Sequence, residues 1–371
     1  MTDRPTGDGT KRVETKRVET KRAETKRAET KRVESKAGSD APAAPVRVAD
    51  DLPRLKIGVS ACLLGQEVRF DGQHKRDAFL VDELGPFVDF VPICPEGEVG
   101  MPIPRETLRL VRPGSAGGAL ALVAPRSGAD WTDRMNAYAE SRVARLASED
   151  LCGYVFKKDS PSCGVWRVKV YRPGESGAPE RDGAGLFAAR LRAAYPQLPV
   201  EEEGRLRDPA LRENFITRLF AYQRLRGLFG KRWSMGALVA FHTAHKMALL
   251  AHDEPAYRRL GRLVALGKAL PPRELASRYE EGFMGALGKL ATSGRHVNVM
   301  THMLGHFSDR LEAAARRELL GAIEDYRRGW VPLIVPVTLV RHYVRLFEVE
   351  YLLGQTYLDP HPKELMLRNH V

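Results

Sequence analysis

The stretch Lys56-Ile57-Gly58-Val59-Ser60-Ala61-Cys62-Leu63-Leu64-Gly65 begins as an apolar run and ends in a serine, a cysteine and a glycine. Its β-branched residues predict a buried strand over Lys56 to Ser60. The same reading predicts strands over Val88 to Ile93, Leu120 to Ala124, Gly153 to Lys157 and Val165 to Tyr171, with a short extended piece near Val200. Helices are expected between them: Asp77 to Phe87, Trp131 to Ala147 behind an Asp130 cap, and Ala184 to Ala194. Strands that alternate with helices predict an α/β domain over residues 55 to 205, a parallel or mixed sheet with helices on both faces.

In an open α/β sheet, ligands collect outside the carboxyl ends of the strands. Cys62, Cys94 and Cys163 all fall where predicted strands end. Three thiolates meeting there would leave one position on a metal centre open. A closed structural zinc site would want four protein ligands and short-spaced pairs such as Cys-x-x-Cys, and the chain has neither pattern. Two readings stay open: a cubane iron-sulfur cluster with one free iron acting as Lewis acid, or a catalytic zinc bound by two thiolates and a histidine. Cys152, in the apolar Leu151-Cys152-Gly153-Tyr154-Val155, reads as a small buried hydrophobe. Asp71, Glu96 and Ser160 lie near the thiols in sequence and are groups that move protons. Each also has a plainer reading. Asp71-Gly72 suits a turn, Glu96 a solvated charge, and Ser160 a hydroxyl bonding its own backbone.

Beyond Asp208 the apolar residues recur at helical spacing almost to the end, over 210–229, 234–252, 254–269, 272–290, 295–326 with breaks, and 333–353. Residues 206–371 are therefore expected to form an all-helical domain. Residues 11–35 repeat the unit Lys-Arg-Val/Ala-Glu-Thr/Ser five times. A period of five gathers apolar positions on neither a helix face nor a strand face, so residues 1–54 read as a disordered basic tail.

The formal charge is +12, and residues 1–55 hold 14 Lys and Arg against 10 Asp and Glu, so most of the excess lies in the folded part. That balance points to a polyanion such as RNA. Arg218, Arg224, Arg226, Lys231 and Arg232 are candidate phosphate contacts, each equally readable as a solvated side chain. The helical spacing of His242, His245, His302 and His306 would suit a second metal, but without an acidic partner pattern these read as packed or RNA-facing histidines. Four cysteines are too few for a disulfide scaffold. With no apolar run long enough to span a membrane and no apolar leader, the cytoplasm is the expected compartment.

Ser60-Ala61-Cys62-Leu63-Leu64-Gly65, Arg69-Phe70-Asp71-Gly72, Lys75, Cys94-Pro95-Glu96, Met101-Pro102-Ile103-Pro104-Arg105 and Ser160-Pro161-Ser162-Cys163-Gly164 together resemble the thiouracil desulfurase family. The resemblance covers residues 55–205. It implies a [4Fe-4S] cluster on Cys62, Cys94 and Cys163, whose free iron binds the sulfur of a thiolated uracil. It further implies a catalytic carboxylate and serine, nearest to Glu96 and Ser160, with Asp71 a further candidate. The helical half carries Phe241-His242-x-x-His245-Lys246, His252, Asn298-x-x-x-His302-x-x-Gly305 and an ending from Tyr351 to Pro362, and these resemble the YbgA-type domain. Chains that fuse the two are linked to removal of sulfur from 4-thiouridine in transfer RNA, so the expected partner is a thiolated uracil, nucleoside or tRNA. The rival expectations are a non-catalytic RNA-binding or redox-sensing iron-sulfur protein, and a desulfurase restricted to free thiouracil.

Overall fold

The computed structural model describes residues 54–113, 118–173, 178–230 and 232–371. The pentapeptide repeats and Lys231 lie outside the described residues. Eight strands occur among them: β1 Leu55–Ser60, β2 Val88–Ile93, β3 Arg109–Val111, β4 Ala121–Val123, β5 Gly153–Phe156, β6 Val168–Tyr171, β7 Glu180–Gly183 and β8 Val200–Glu202. They divide into two sheets where the sequence suggests one. The first, in the order β2-β1-β5-β8, is parallel throughout. The second, in the order β4-β3-β6-β7, is mixed, with only β3 and β6 parallel. The region from Asp77 to Phe87 forms a π-type turn at Phe79–Leu84 running into a 3-10 turn at Gly85–Phe87, not a regular helix.

The helices are α1 Pro95–Glu98, α2 Thr132–Leu146, α3 Leu186–Ala194, α4 Pro209–Phe229, α5 Met235–His252, α6 Glu254–Ala265, α7 Pro272–Leu287, α8 Ser293–Leu304, α9 Ala313–Arg327, α10 Ile334–Leu346 and α11 Glu350–Leu353. Side-chain caps start several of them. Asp208, Ser234, Asp253 and Thr292 each accept from a backbone amide three residues on, satisfying donors the helix cannot.

Successive residues of a strand face opposite sides of its sheet, and in β5 that alternation decides the packing. Tyr154 and Phe156 point one way, their rings stacked 4.0 Å apart, with Phe187 of α3 at 6.0 and 6.3 Å. Tyr138 of α2 completes that layer, 6.1 Å from Phe187. Gly153 faces the other way, where a Cβ would fall 2.1 Å from Leu219 Cδ2 of α4 and 3.0 Å from the Pro199 carbonyl oxygen. The first long helix of the helical half is therefore the second covering layer of the sheet. One apolar core runs without a break from Leu55 to Leu367, and a smaller one lies under the mixed sheet around Leu110, Leu122, Met135, Val168 and Val170.

The C-terminal segment is tied into this core by charge. Arg368 donates from Nε to Glu213 of α4 at 3.0 Å and from Nη1 to the Tyr357 carbonyl at 2.6 Å. Burial works to raise the Glu213 carboxyl, but the His361 ring 3.8 Å away and the Arg368 guanidinium outweigh it and hold the group far below the ordinary carboxylate range.

Gly153→Ala in the full chain should lower the unfolding free energy by ~1–3 kcal/mol through overpacking against α4. An unchanged urea midpoint would mean that α4 does not press on the sheet. Arg368→Met removes the guanidinium from a buried carboxylate, leaving it only the His361 ring and the Thr217 hydroxyl, and should cost up to ~3–5 kcal/mol at neutral pH. Because the Glu213 pKa is depressed in the folded state, its contribution is full above the ordinary carboxylate range and is lost as pH falls. The gap between wild type and Arg368→Met should therefore narrow below pH ~4 in parallel denaturation series.

Candidate functional site

Parallel pairing brings three chain exits to one edge. Ser60 aligns with Ile93, and Val59 with Val155, so β1, β2 and β5 end at nearly the same level. Cys62 follows β1 in a 3-10 turn over Ala61–Leu64, closed by Gly65 at φ 92°, a left-handed conformation that suits glycine. Cys94 follows β2 as the N-cap residue of α1, with Pro95 as the first helical residue. Cys163 sits in the loop after β5. Ser160 Oγ accepts from the Ser162 and Cys163 amides at 3.2 and 3.1 Å. The start of α3 braces the same loop, because Phe187 N donates to the Ser162 carbonyl and Gly185 N to that of Gly164.

All three cysteines line one cleft of about 400 Å³, with Glu96 and Ser160, within the size range of small-ligand sites. Asp71 is not part of its lining. Its carboxylate accepts from the Gln73 amide at 3.2 Å and pairs with Arg69 at 3.4 Å, the turn role the sequence also allows. Ser160 likewise bonds its own backbone, yet its hydroxyl proton is not used by those two contacts, in which the oxygen accepts. Glu96 is not a solvated charge. Its Oε2 takes Arg105 Nε at 3.0 Å and Nη2 at 2.5 Å, while Oε1 accepts from Ser162 Oγ at 3.0 Å.

Five cations line the cleft: Arg69, Lys75, Arg105, Lys157 and Lys158. Lys157 was not singled out from the sequence, although the strand-end rule that finds the cysteines applies to it equally. It donates to the Lys158 carbonyl at 3.0 Å and pairs with Glu203. Glu98 is a second supporting residue, accepting from the Cys94 amide at 3.3 Å and from Tyr138 Oη at 2.7 Å.

Burial pushes the Cys62 thiol up to about 11, against the lowering charge of Lys157. It also raises Cys94, and raises Cys163 strongly. Such thiols are protonated at neutral pH and are poor nucleophiles, so they await a cationic centre that would displace the protons. Among the described residues no three His, Cys, Asp or Glu side chains converge on one metal-ion position. Tetrahedral zinc bonds of ~2.3 Å would require sulfurs within ~4 Å of each other. A multi-iron cluster gives each thiolate a different iron and leaves one iron without a protein ligand, so three cysteines lining one cleft are a donor set that fits it.

Elsewhere the side chains are spent on packing. His242 Nδ1 meets Tyr279 Oη at 3.1 Å and His245 Nδ1 meets the Phe241 carbonyl at 2.7 Å; burial lowers their pKa values to about 4 and about 3, keeping both neutral. Arg224 is bonded to His245 and the Pro360 carbonyl. Arg226 is bonded to Asp150 and the Leu151 carbonyl, and Arg218 lies over the Phe215 ring. Arg218 and Arg224 serve the interior, whereas Arg226 is partly exposed and paired with the exposed Asp150, and Arg232 is exposed. Cys152 is buried and outside the cleft lining, as its apolar neighbours suggest.

Residues 57–203 match the family model of 2-thiouracil desulfurase, and residues 246–362 match DUF1722, a family described as of unknown function. The uncharacterized protein YbgA of Escherichia coli (strain K12) is 31% identical over 158 residues, 42% of this chain and 94% of its own. A solved structure of the [4Fe-4S]-dependent thiouracil desulfidase TudS is 33% identical, with 42% of this chain and 94% of that chain covered and a TM-score of 0.34.

After removal of metal by chelation, the cleft thiols should alkylate at least ~10-fold more slowly than free cysteine at pH 8. Cys62 should gain reactivity only as pH climbs toward about 11. Mass-spectrometric labelling rates equal to those of free cysteine would refute the burial argument.

Proposed function

Since the chain belongs to the 2-thiouracil desulfurase and DUF1722 (YbgA-like) families, we propose that it removes sulfur from a thiolated uracil, releasing sulfide. The substrate we assign is 4-thiouridine in tRNA, converted to uridine. The observation that carries the reading is the convergence of Cys62, Cys94 and Cys163 on one cation-lined cleft with Glu96 and Ser160. A [4Fe-4S] cluster held by these three cysteines would supply a Lewis acid and a sulfur acceptor at its free iron.

The remaining work falls to side chains of the chain. Glu96 Oε1 accepts one bond, from Ser162, and keeps a lone pair with which to take a proton from water adding at the thiocarbonyl carbon. Arg105 holds that carboxylate in a fixed orientation through two bonds to Oε2. Ser160, with its oxygen anchored by two amides, has a proton to offer to departing sulfur. The cations of the rim would draw the phosphates of an RNA toward the cleft. A base within a stacked strand would have to swing out to reach it. Cytoplasmic location is part of the same reading, since tRNA and reduced thiols are found there.

Removing the helical half would strip Leu219 from the sheet, so the test needs the full chain. Reconstituted without oxygen, it should release sulfide from tRNA carrying 4-thiouridine, and Cys62→Ala, Cys94→Ala and Cys163→Ala should each reduce release to background. Glu96→Gln should keep its iron and lose roughly 10²–10⁴ in kcat. Turnover of free 2-thiouracil without turnover of tRNA would limit the enzyme to the base. Iron without any sulfide release would leave a binding or sensing protein.

A further inference from the structure

We propose that Arg69 and Phe70 form the base-reading element of the cleft, Phe70 stacking on the pyrimidine ring and Arg69 donating to its unthiolated carbonyl oxygen. The inference rests on the desulfidation reading for the kind of ligand it names. Phe70 is the only aromatic residue among the described residues lining the cleft, and it is 37% exposed. A large apolar ring left open to solvent beside a reactive centre is available to a flat ligand.

Its position is built, not incidental. The Phe70 carbonyl accepts from the Arg105 amide at 2.8 Å. Arg105 also donates from Nη2 to the Val68 carbonyl at 3.1 Å while holding Glu96. The segment carrying the ring is thus bolted to the arginine that orients the proposed base. The turn beyond it is closed by the Gly72 amide donating to the Arg69 carbonyl at 3.0 Å. Gly72 has φ 70°, which glycine supplies without strain.

Arg69 adds the polar half. Its guanidinium lies 5.4 Å from the Phe70 ring centroid, and Asp71 pairs with it at 3.4 Å. Nη1 is buried and has no hydrogen-bond partner. A buried donor without a partner is costly unless something arrives to accept from it. A thiolated uracil keeps one carbonyl oxygen when the other is replaced by sulfur. An acceptor in the ring plane and a π face above it are the two features that Nη1 and Phe70 together would read. Asp71 then acts as a positioning residue that holds Arg69, without lining the cleft.

The test uses the iron-loaded full chain and compares calorimetric binding of uracil with that of 5,6-dihydrouracil, which keeps both carbonyls but loses the flat π face. Wild type should prefer uracil. Phe70→Leu should weaken uracil binding roughly 5- to 150-fold and erase the preference, while Phe70→Tyr keeps it. Arg69→Met should weaken both ligands alike, with visible absorption and iron content unchanged. Equal wild-type affinity for the two ligands, no uracil binding by wild type, or full uracil binding by Phe70→Leu would overturn the inference. Should Phe70→Leu lose its iron, the wild-type ratio and the Phe70→Tyr variant still decide. A wild-type protein that binds uracil with this preference but releases no sulfide sinks the desulfidation reading alone.

Discussion

The side-by-side parallel pairing of β2, β1 and β5 is the constraint on which the rest of the molecule depends. Parallel strands in register release their chains at one edge, and here the register brings three exits level. Each exit then turns differently: a 3-10 turn after β1, a short helix after β2, and a hydroxyl-braced loop after β5. Cysteines 101 residues apart in sequence share a cleft because of that pairing, and no local motif could have brought them together. A slip by one residue in β1 would reverse the faces of Ile57 and Val59, so burial of both enforces the register that the site requires.

Electrostatics around the cleft oppose two tendencies. Burial favours neutral thiols, and all three are pushed up by it. The cationic lining favours thiolates, as the lowering effect of Lys157 on Cys62 shows. Burial wins in the protein alone, which protects the thiols from adventitious chemistry. A cationic centre tips the balance, since it adds charge attraction at short range where little water screens it. The same cations would then offset the negative charge that three thiolates bring.

The strands that bear the site were legible because they are apolar and uncovered by ambiguity: Ile57 and Val59 in β1, and Tyr154 to Phe156 in β5, are fully buried. β7 was not legible. Glu180-Arg181-Asp182-Gly183 has no apolar alternation, and its pairing is supported by Arg112, which reaches Glu180 at 2.5 Å and Asp182 at 2.8 Å. A strand held by a distant charge leaves no periodic signal. β3 is too short to show one. The long helices were legible from their spacing and from caps such as Asp208 before Pro209. Of the residues lining the candidate cleft, the three cysteines were singled out by residue type and place and Glu96 with the help of the resemblance, whereas Lys157 was passed over. The clamp of Arg105 and Ser162 on Glu96 joins residues up to 66 positions apart and has no signature in sequence. Arg218 and Arg224 looked like surface charges because arginine type says nothing about burial.

The segment that leads into the helical half also supports the cleft wall. β8 lies at the edge of the parallel sheet, and its end carries three carboxylates with three separate tasks. Glu203 holds Lys157 at the cleft, and its other oxygen accepts from the Lys158 amide at 2.7 Å. Glu202 accepts from the Val165 and Trp166 amides at 2.7 and 3.2 Å, just beyond Cys163. Burial raises the pKa of that carboxyl, and the two amides oppose the rise. Glu201 reaches forward to Arg205 at 2.7 Å, immediately before α4. The segment that connects sheet to helix therefore also fixes Lys157 and the loop of Cys163. α4 in turn packs against Gly153 through Leu219 and is bonded to Arg368 through Glu213. The two halves share one apolar core behind the site.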